Sequence, residues 1–330
     1  MKVGHFFLLH IFEFSLLLYI NYILNLYFEL YMKIGGVTIC FNEEKMVKYV
    51  MPYWERIGID KLIVWDNLST DNTVEELKKW PFVEVRSFDT NGRFDDRKNS
   101  DLKEETALEL KEAGYDWVYT GDFDEIIYCE NPNFREELAK IEEKGGTVLC
   151  RDMIHCFRPD EYEFDPSKLI HEQMTHFLTW HDYTHTWGGC KVLLHNTKQV
   201  PHVQFSLGAH ACNFKGKDSN PVLFGYPFIT FHLKYVDWHT LEKNSHDKHD
   251  RIQWRLDVPS CTFIDAQYTK RLYSRTIGWD KIQLTIDKLI KKCKRCGATT
   301  WDECMKRYND EFKVNMTKWN KVKKVKRLEY

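Results

Sequence analysis

The feature that most constrains the fold is a repeated alternation of hydrophobic strand patterns with helix patterns. Such alternation is typical of a mostly parallel sheet covered by helices on both faces. Neither a GxGxxG motif nor a P-loop motif follows any of these strands, so neither a dinucleotide-binding fold nor a P-loop fold is indicated. The predicted strands are Val37 to Cys40, Lys61 to Trp65, Val83 to Ser87 and Trp117 to Thr120. The sequence therefore predicts an α/β fold with a mostly parallel central sheet.

The fourth predicted strand ends in an acidic motif, Gly121-Asp-Phe-Asp-Glu125. In an extended conformation Asp122 and Asp124 point to the same side of the chain and Phe123 points to the other. Two adjacent carboxylates repel each other unless a cation lies between them, and oxygen ligands favour Mg²⁺ or Mn²⁺. A solvated acidic turn is the alternative, but ligands of α/β proteins collect at the carboxyl ends of strands. The motif therefore predicts a divalent metal site.

Three stretches, each of which includes the end of a predicted strand and the residues after it, carry a resemblance to a known family. They are Ile39-Cys-Phe-Asn-Glu-Glu44, Val64-Trp-Asp-Asn-Leu-Ser-Thr-Asp-Asn-Thr73 and Asp116-Trp-Val-Tyr-Thr-Gly-Asp-Phe-Asp-Glu125. In order and spacing they resemble family 2-like glycosyltransferases of the GT-A fold, over residues 33 to about 240. The closest branch has an Asp-x-Asp-Glu motif and a later His before basic and aromatic residues, here Phe231-His-Leu-Lys-Tyr235. The resemblance implies a GT-A fold, a UDP-linked sugar donor and a metal held by Asp122 and Asp124.

The resemblance also implies donor contacts at the ends of the first two strands. Asn42 and Glu43, after the first strand, are expected to hydrogen-bond the uracil or the ribose. Asp66, at the end of the second strand, is the expected partner of a base N–H. The polar residues that come next are expected to form only the turn and the following helix cap. These are Asn67, Ser69 and Asp71.

Basic residues offer candidate contacts to the donor diphosphate. Arg97, with Arg93 and Lys98 beside it, precedes the helix that leads to the acidic strand. Guanidinium groups pair well with phosphate oxygens, although a solvated loop is the alternative for this segment. Lys191 follows Gly188-Gly189 and resembles a Lys in the second half of the family, which implies a contact with the donor.

His232 is the predicted third metal ligand. Neutral imidazole suits Mn²⁺, and the resemblance implies such a His near the end of the catalytic domain. The metal would offset the charge that builds on the leaving nucleoside diphosphate. A packed histidine is the alternative, because Phe228 to Phe231 has the pattern of a buried strand.

The identity of the catalytic base is left open by the sequence. An inverting transfer needs a carboxylate or an imidazole to deprotonate the acceptor hydroxyl, whereas a retaining transfer needs no base in that place. The segment from Trp180 to Lys191 is polar, aromatic and rich in turns, as an acceptor loop would be. The candidate bases are Asp182, His185, His210 and Glu125.

Three regions are predicted along the chain. Residues 1–32 are an apolar leader or membrane anchor, and residues 33–255 are the GT-A glycosyltransferase domain. Residues 256–330 are a basic, mainly helical extension, with apolar positions recurring at helical spacing from Ile282 to Ile290.

The leader has three interpretations. Phe6 to Tyr31 is almost wholly apolar, and about 20 helical residues span a bilayer, so a single-pass anchor is one. Glu13, Asn21 and Asn25 make such a span costly, which favours a non-structural or peripheral leader instead. In the third interpretation the folded protein begins at Met32.

Charge limits the classes of partner. The net charge of −2 implies no polyanion, so no nucleic-acid partner is predicted. Residues 281–330 nevertheless hold 15 Lys and Arg against six Asp and Glu. A solvated helix face is one explanation, and contact with an anionic membrane or a nucleotide-linked donor is the other.

Cysteine usage and one sequon indicate the compartment. The ten cysteines show no dense disulfide spacing, and Cys293-Lys-Arg-Cys296 with Cys304 is only a weak zinc signal. Asn67-Leu-Ser69 is a glycosylation sequon within the predicted site, where a glycan would block access. The protein is therefore predicted in the cytoplasm or on the cytoplasmic face of a membrane.

Together these features predict a metal-dependent glycosyltransferase that uses Mn²⁺ or Mg²⁺ and a nucleotide-diphosphate sugar. The acceptor is a hydroxyl on an unspecified glycan, lipid or protein. A non-catalytic nucleotide-sugar-binding protein is one alternative. The other is a sugar-phosphate nucleotidyltransferase, but Phe41-Asn-Glu-Glu44 lacks the Gly-rich, basic signature expected after its first strand.

Overall fold

The computed structural model describes residues 31–179, 190–205, 212–216, 218–252, 278–306 and 326–327. The strands are β1 (Ile34–Cys40), β2 (Lys61–Asp66), β3 (Val83–Ser87), β4 (Trp117–Tyr119), β5 (Glu125–Tyr128), β6 (Val148–Asp152), β7 (Ile154–Phe157), β8 (His176–Thr179), β9 (Cys190–Asn196), β10 (His202–Phe205), β11 (Cys212–Lys215), β12 (Val222–Phe224), β13 (Ile229–His232) and β14 (Lys326–Arg327). The helices are α1 (Glu44–Ile57), α2 (Thr73–Leu77), α3 (Asp96–Glu112), α4 (Phe134–Glu143), α5 (Trp238–Ile252) and α6 (Trp279–Cys296).

The central sheet has the strand order β14-β12-β6-β9-β4-β1-β2-β3. Neighbouring strands of this sheet run parallel, except that β9 is antiparallel to both β4 and β6. The predicted α/β class with a mostly parallel central sheet is therefore confirmed. The first four strands were also predicted in the right places, because β1, β2 and β4 are short apolar runs and β3 alternates valines with charged residues.

Helices cover both faces of this sheet. On β4, Val118 packs with Ala107 and Leu110 of α3. The next residue, Tyr119, points to the opposite face and meets Trp54 of α1, with 4.4 Å between the ring centroids. Successive strand residues face opposite ways, so a strand buried on both faces needs apolar residues at every position.

A second, smaller sheet has the order β5-β13-β7-β8. Its strand β5 begins at Glu125, the last residue of the acidic motif, and pairs antiparallel with β13. In that register His232 lies opposite Glu125. This pairing brings the end of β13 to the acidic motif, although more than a hundred residues separate them in sequence.

Helix α6 belongs to the predicted C-terminal extension and is buried along one side. Ile282, Ile286 and Leu289 pack into a cluster with Phe157 and Trp238. Residues 34–330 form one compact unit. Residues 301–306 are also helical. The predicted domain boundary at residue 255 stays a prediction.

Glu43 is the N-cap residue of α1, and Asn42 adopts a left-handed backbone with φ of 56°. One local prediction is wrong. The stretch from Asp122 to Asp124 is not extended, since it forms a turn between β4 and β5. Among the described residues no helix is long and apolar enough to cross a membrane. Residues 1–30 of the predicted leader, which spans residues 1–32, lie outside the described residues.

Candidate active site

The candidate site lies at the carboxyl edge of the central sheet. Strands β1, β2 and β4 run parallel, and Cys40 at the end of β1 is in register with Asp66 at the end of β2. Residues that follow these strands therefore share one edge. This edge is where ligands bind in open α/β sheets.

The turn after β4 is shaped by its glycine. A Cβ on Gly121 would lie 2.0 Å from the hydroxyl oxygen of Tyr119, so a larger residue does not fit there. The same hydroxyl donates to the carbonyl oxygen of Asp122 at 2.9 Å. The amide of Glu125 donates to that carbonyl at 3.0 Å, and Phe123 is buried. The turn leaves the carboxylates of Asp122 and Asp124 half-buried at the edge.

Asp122 is held by two buried lysines. The Nζ atom of Lys103 lies 2.6 Å from Oδ1 of Asp122, and Nζ of Lys191 lies 2.6 Å from Oδ2. Each lysine side chain is only 4% exposed, whereas that of Asp122 is 46% exposed. Burial acts to raise the pKa of Asp122, but the two ammonium groups outweigh it and hold this pKa well below its usual range.

Lys191 also contacts Glu125. Its Nζ atom lies 2.6 Å from Oε1 of Glu125, whose side chain is 1% exposed. Burial acts to lower the pKa of Lys191, but the negative charges of Asp122 and Glu125 raise it above its ordinary value. Lys191 is thus an ammonium ion that bridges two carboxylates. Such a bridge compensates much of the cost of burying its charge.

Asp124 faces the imidazole of His232. The Oδ2 atom of Asp124 lies 3.0 Å from Nε2 of His232, and their side chains are 27% and 13% exposed. Burial acts to raise the pKa of Asp124, but His232 outweighs it and lowers this pKa. The pairing of β13 with β5 accounts for the contact, because it brings His232 beside Glu125, next to Asp124.

Asp124 offers an oxygen donor that suits Mn²⁺ or Mg²⁺, and His232 offers a nitrogen donor that suits Mn²⁺ better than Mg²⁺. Within the described residues no three His, Cys, Asp or Glu side chains come close enough together to hold a metal ion. Asp122 is not part of such a group with Asp124 and His232, since a lysine occupies each of its oxygens. The protein thus presents a pair of ligands that could take a metal only if the donor or water completed the coordination.

Asn42 links the ends of β1 and β2 to α5. Its Oδ1 atom accepts from the amide of Thr70 at 2.8 Å, and its Nδ2 donates to Asp247 at 3.1 Å. Its backbone amide donates to the hydroxyl of Ser69 at 2.8 Å. The side chain of Asn42 therefore braces the turn after β2 and ties it to α5.

Glu43 lies between β1 and α5. Its Oε2 atom accepts from Nδ2 of Asn244 at 3.0 Å, and its amide donates to the hydroxyl of Thr73 at 2.7 Å. Burial and the negative charge of Asp124 raise the pKa of Glu43 to about 8. Glu43 is therefore largely protonated at neutral pH, and the negative charge of Asp124 contributes to this.

Asp66 closes the turn after β2. Its carboxylate is buried and accepts from the amide of Ser69 at 3.1 Å. Asp71 accepts from the amide of Thr73 at 3.1 Å, in the first turn of α2. The side chains of Asn67 and Thr90 bond to each other. The contact of Asp66 with Ser69 agrees with the turn expected after β2, whereas the N-cap of α2 is Asn72 and not Asp71.

Helix α5 covers this part of the edge with one face. Lys243, Asp247 and Arg251 recur every four residues and so lie along one side of the helix. Nζ of Lys243 donates to the carbonyl oxygen of Asn42 at 2.9 Å. The guanidinium of Arg251 stacks on Phe41, with 3.8 Å to the ring centroid. The face of α5 therefore fills the space in front of β1 and β2.

Arg97 is not brought to this cluster by the structure. Arg97 is exposed and pairs with Asp101 on the surface of α3. Asp182, His185 and His210 lie outside the described residues, so their candidate roles stay predictions.

Lys103 was missed in the sequence, although a signal for it exists. On α3 it shares helical spacing with Thr106, Ala107 and Leu110, and all four residues are buried. A lysine on the buried side of a helix needs a negative partner, which Asp122 supplies. The pattern predicts a partner for Lys103, but only the fold identifies it.

Comparison with known proteins identifies no family. No protein-family model and no curated protein matches the chain. A solved structure of 4-diphosphocytidyl-2C-methyl-D-erythritol synthase is 16% identical with a TM-score of 0.33, covering 59% of this chain and 90% of that one. A synthase of the same name from Anaerococcus prevotii DSM 20548 is 8% identical with a TM-score of 0.30, covering 51% and 72%.

A third similar structure is glucosyl-3-phosphoglycerate synthase from Mycobacterium tuberculosis, in complex with Mn²⁺, uridine diphosphate and glucosyl-3-phosphoglycerate. It is 20% identical with a TM-score of 0.24, covering 38% of this chain and 44% of that one. The chain thus spans less than half the length of this relative. TM-scores this low carry no weight for the fold or the function, which rest on the strand order and the site.

Proposed function

We propose that this chain is a metal-dependent glycosyltransferase of the GT-A type. It would move a sugar from a nucleotide-diphosphate donor, UDP-linked, to a hydroxyl acceptor. The observation that carries the proposal is the contact between Asp124 and His232 at 3.0 Å, at the carboxyl edge of the sheet. The influence of Asp124 on the pKa of Glu43 supports it, because it relates the acidic motif to the end of β1.

In this proposal Asp124 and His232 would hold Mn²⁺ or Mg²⁺ through Oδ2 and Nε2. The bound ion would supply a positive charge that offsets the charge on the leaving nucleoside diphosphate. Asp122 would become a third ligand only if an ammonium group gave way to the ion, since Lys103 and Lys191 occupy its oxygens.

The donor would lie along the edge formed by β1, β2 and β4. Lys191 is an ammonium ion at this edge and would meet a phosphate oxygen of the donor, as a charge-assisted hydrogen bond. Glu43, protonated at neutral pH, would donate a hydrogen bond to the base or the ribose. Asp66 would accept from a base N–H, with the lone pairs that Ser69 leaves unused.

An inverting transfer would also need a base that deprotonates the acceptor hydroxyl. Glu125 is buried and paired with Lys191, so an acceptor hydroxyl has poor access to it. This favours Asp182 and His210 as candidates for the base, on the strength of the sequence alone.

The proposal is tested by release of nucleoside diphosphate from a panel of nucleotide sugars in the presence of Mn²⁺. The wild-type chain should release it, and Asp124→Asn should lower the rate by about a hundredfold or more, because the metal contributes several kcal/mol. Asp160→Asn is the matched control, since Asp160 is exposed and lies outside the site. Undiminished release by Asp124→Asn would contradict the proposal.

The products separate the alternatives. Release of pyrophosphate from a nucleoside triphosphate would indicate a sugar-phosphate nucleotidyltransferase instead. Metal-independent binding of the donor without turnover would indicate a non-catalytic nucleotide-sugar-binding protein. Neither result agrees with a metal-dependent sugar transfer.

A further inference from the structure

Helix α6 carries exposed positive charge on the side opposite its buried residues. Ile282, Ile286 and Leu289 are buried on one side. On the other side, positions spaced by three or four residues form what is called here the cationic stripe. The cationic stripe consists of Lys281, Leu284, Lys288, Lys291 and Arg295, all exposed. Four of its five members are cations and none is acidic.

Lys281, Lys288 and Lys291 form no ion pair with another residue in the described part of the chain. The nearby Asp287 lies off the stripe and accepts a hydrogen bond from Gln283 at 3.1 Å. These three lysines therefore present their charge to the surroundings.

Positive charge is also concentrated at the C-terminal end of the sequence as a whole. Residues 281–330 carry a net charge of +9, whereas residues 1–280 carry 32 Lys and Arg against 43 Asp and Glu, a net charge of −11. The chain as a whole has a charge of only −2. An anionic surface would attract the basic end and repel the rest, so this division would orient the molecule on it.

We infer that the cationic stripe docks on the anionic lipid headgroups of a membrane. Leu284 supports a lipid surface, because it is 48% exposed in the middle of the stripe and can enter the boundary between headgroups and acyl chains. The stripe contains no aromatic residue on which a nucleic-acid base could stack.

The docking is tested by sedimentation of the full chain with vesicles. Vesicles of phosphatidylcholine alone are compared with vesicles of equal parts phosphatidylcholine and phosphatidylserine. Each lysine near an anionic surface strengthens binding by roughly fivefold. The triple variant Lys281→Gln, Lys288→Gln, Lys291→Gln should therefore lose about a hundredfold in affinity for the anionic vesicles and bind the neutral ones unchanged.

A matched control removes the same charge elsewhere. Lys45, Lys78 and Lys144 are exposed and lie outside α6. Their triple change to Gln should leave binding to anionic vesicles close to that of the wild-type chain. Equal losses in the two triple variants would overturn the inference, because net charge alone would then explain the binding.

Two further results would also overturn it. One is undiminished binding of the stripe variant to phosphatidylserine vesicles. The other is preferential binding of the wild-type chain to single-stranded RNA, lost in the stripe variant, which would make the partner a nucleic acid. Higher salt should weaken binding to the anionic vesicles, since the Debye length falls from about 10 Å at 0.1 M to about 3 Å at 1 M.

Discussion

At the scale of single residues, the site depends on how Asp122 is neutralised. Lys103 and Lys191 each supply an ammonium group at 2.6 Å, one from α3 and one from β9. This arrangement keeps Asp122 ionised and fixed while nearly half of its side-chain surface faces solvent. The carboxylate therefore does not require a metal for its own stability.

Replacing Lys103 tests this pairing. Lys103→Met keeps the length of the side chain but leaves Asp122 with one ammonium partner. The expected loss in free energy of unfolding is about 1 to 2 kcal/mol, below the usual value for a buried pair because Asp122 is partly solvated. Urea unfolding measures it, with the exposed Lys98→Met as control. Equal stability of the two variants would show that the Lys103 contact is not stabilising.

The raised pKa of Glu43 gives a pH dependence with a definite sign. Its pKa rises from an ordinary 4.5 to about 8 on folding, so the folded state binds the extra proton between these values. The stability from this proton is complete below pH 4.5 and is lost as the pH rises through 8. The free energy of unfolding of the wild-type chain should therefore fall between pH 5 and pH 8. This fall should be about 1 to 3 kcal/mol larger than the fall for Glu43→Gln over the same range. Parallel curves for the two proteins would contradict the assignment.

At the scale of elements, α5 competes with the donor for the residues proposed to bind it. The side-chain amide of Asn244 donates a hydrogen bond to Oε2 of Glu43. The side-chain amide of Asn42 donates one to Oδ2 of Asp247. A donor that uses Asn42 and Glu43 has to break these contacts, each worth about 1 kcal/mol. These contacts of α5 should therefore weaken donor binding.

Asn244→Ala removes one of these contacts. Under the proposed function, UDP should bind about fivefold more tightly to this variant in the presence of Mn²⁺, as measured by calorimetry. His246→Ala, at an exposed position of the same helix, is the control and should leave the affinity unchanged. Weaker binding by Asn244→Ala would instead make α5 a wall that contacts the nucleotide.

The elements also show where prediction from the sequence succeeds. Strands β1 to β4 follow from local apolar patterns, and β3 has the predicted bounds of Val83 to Ser87. The position of the antiparallel strand β9 between β4 and β6 has no local signal in the sequence, because it depends on pairing across distant parts of the chain. The lysine partners of Asp122 were not foreseen as a pair for the same reason. The contact of His232 with Asp124 was expected only through the family resemblance.

At the scale of the whole molecule, α6 is part of the folded unit. Its buried side packs against Phe157 of β7 and Trp238 of α5. Leu289 is 1% exposed in this cluster, whereas Leu284 of the same helix is 48% exposed. A predicted C-terminal extension thus contributes to the core that supports the second sheet.

These two leucines form a matched pair of variants. Leu289→Ala should lower the free energy of unfolding by about 2 to 5 kcal/mol, because it leaves a cavity in the core. Leu284→Ala should change it by less than about 0.5 kcal/mol, as expected for an exposed position. Denaturant unfolding of the full chain distinguishes them. A stability of Leu289→Ala equal to that of Leu284→Ala would show that α6 folds apart from the rest.

The most direct test of the proposed metal site is calorimetric titration of UDP into the protein with and without Mn²⁺. The wild-type chain should bind UDP at least about tenfold more tightly with Mn²⁺, since the ion would bridge the protein and the diphosphate. Asp124→Asn and His232→Gln should each lose this dependence, while Asp160→Asn should keep it. Metal-dependent binding that survives in both site variants would contradict the assignment of Asp124 and His232.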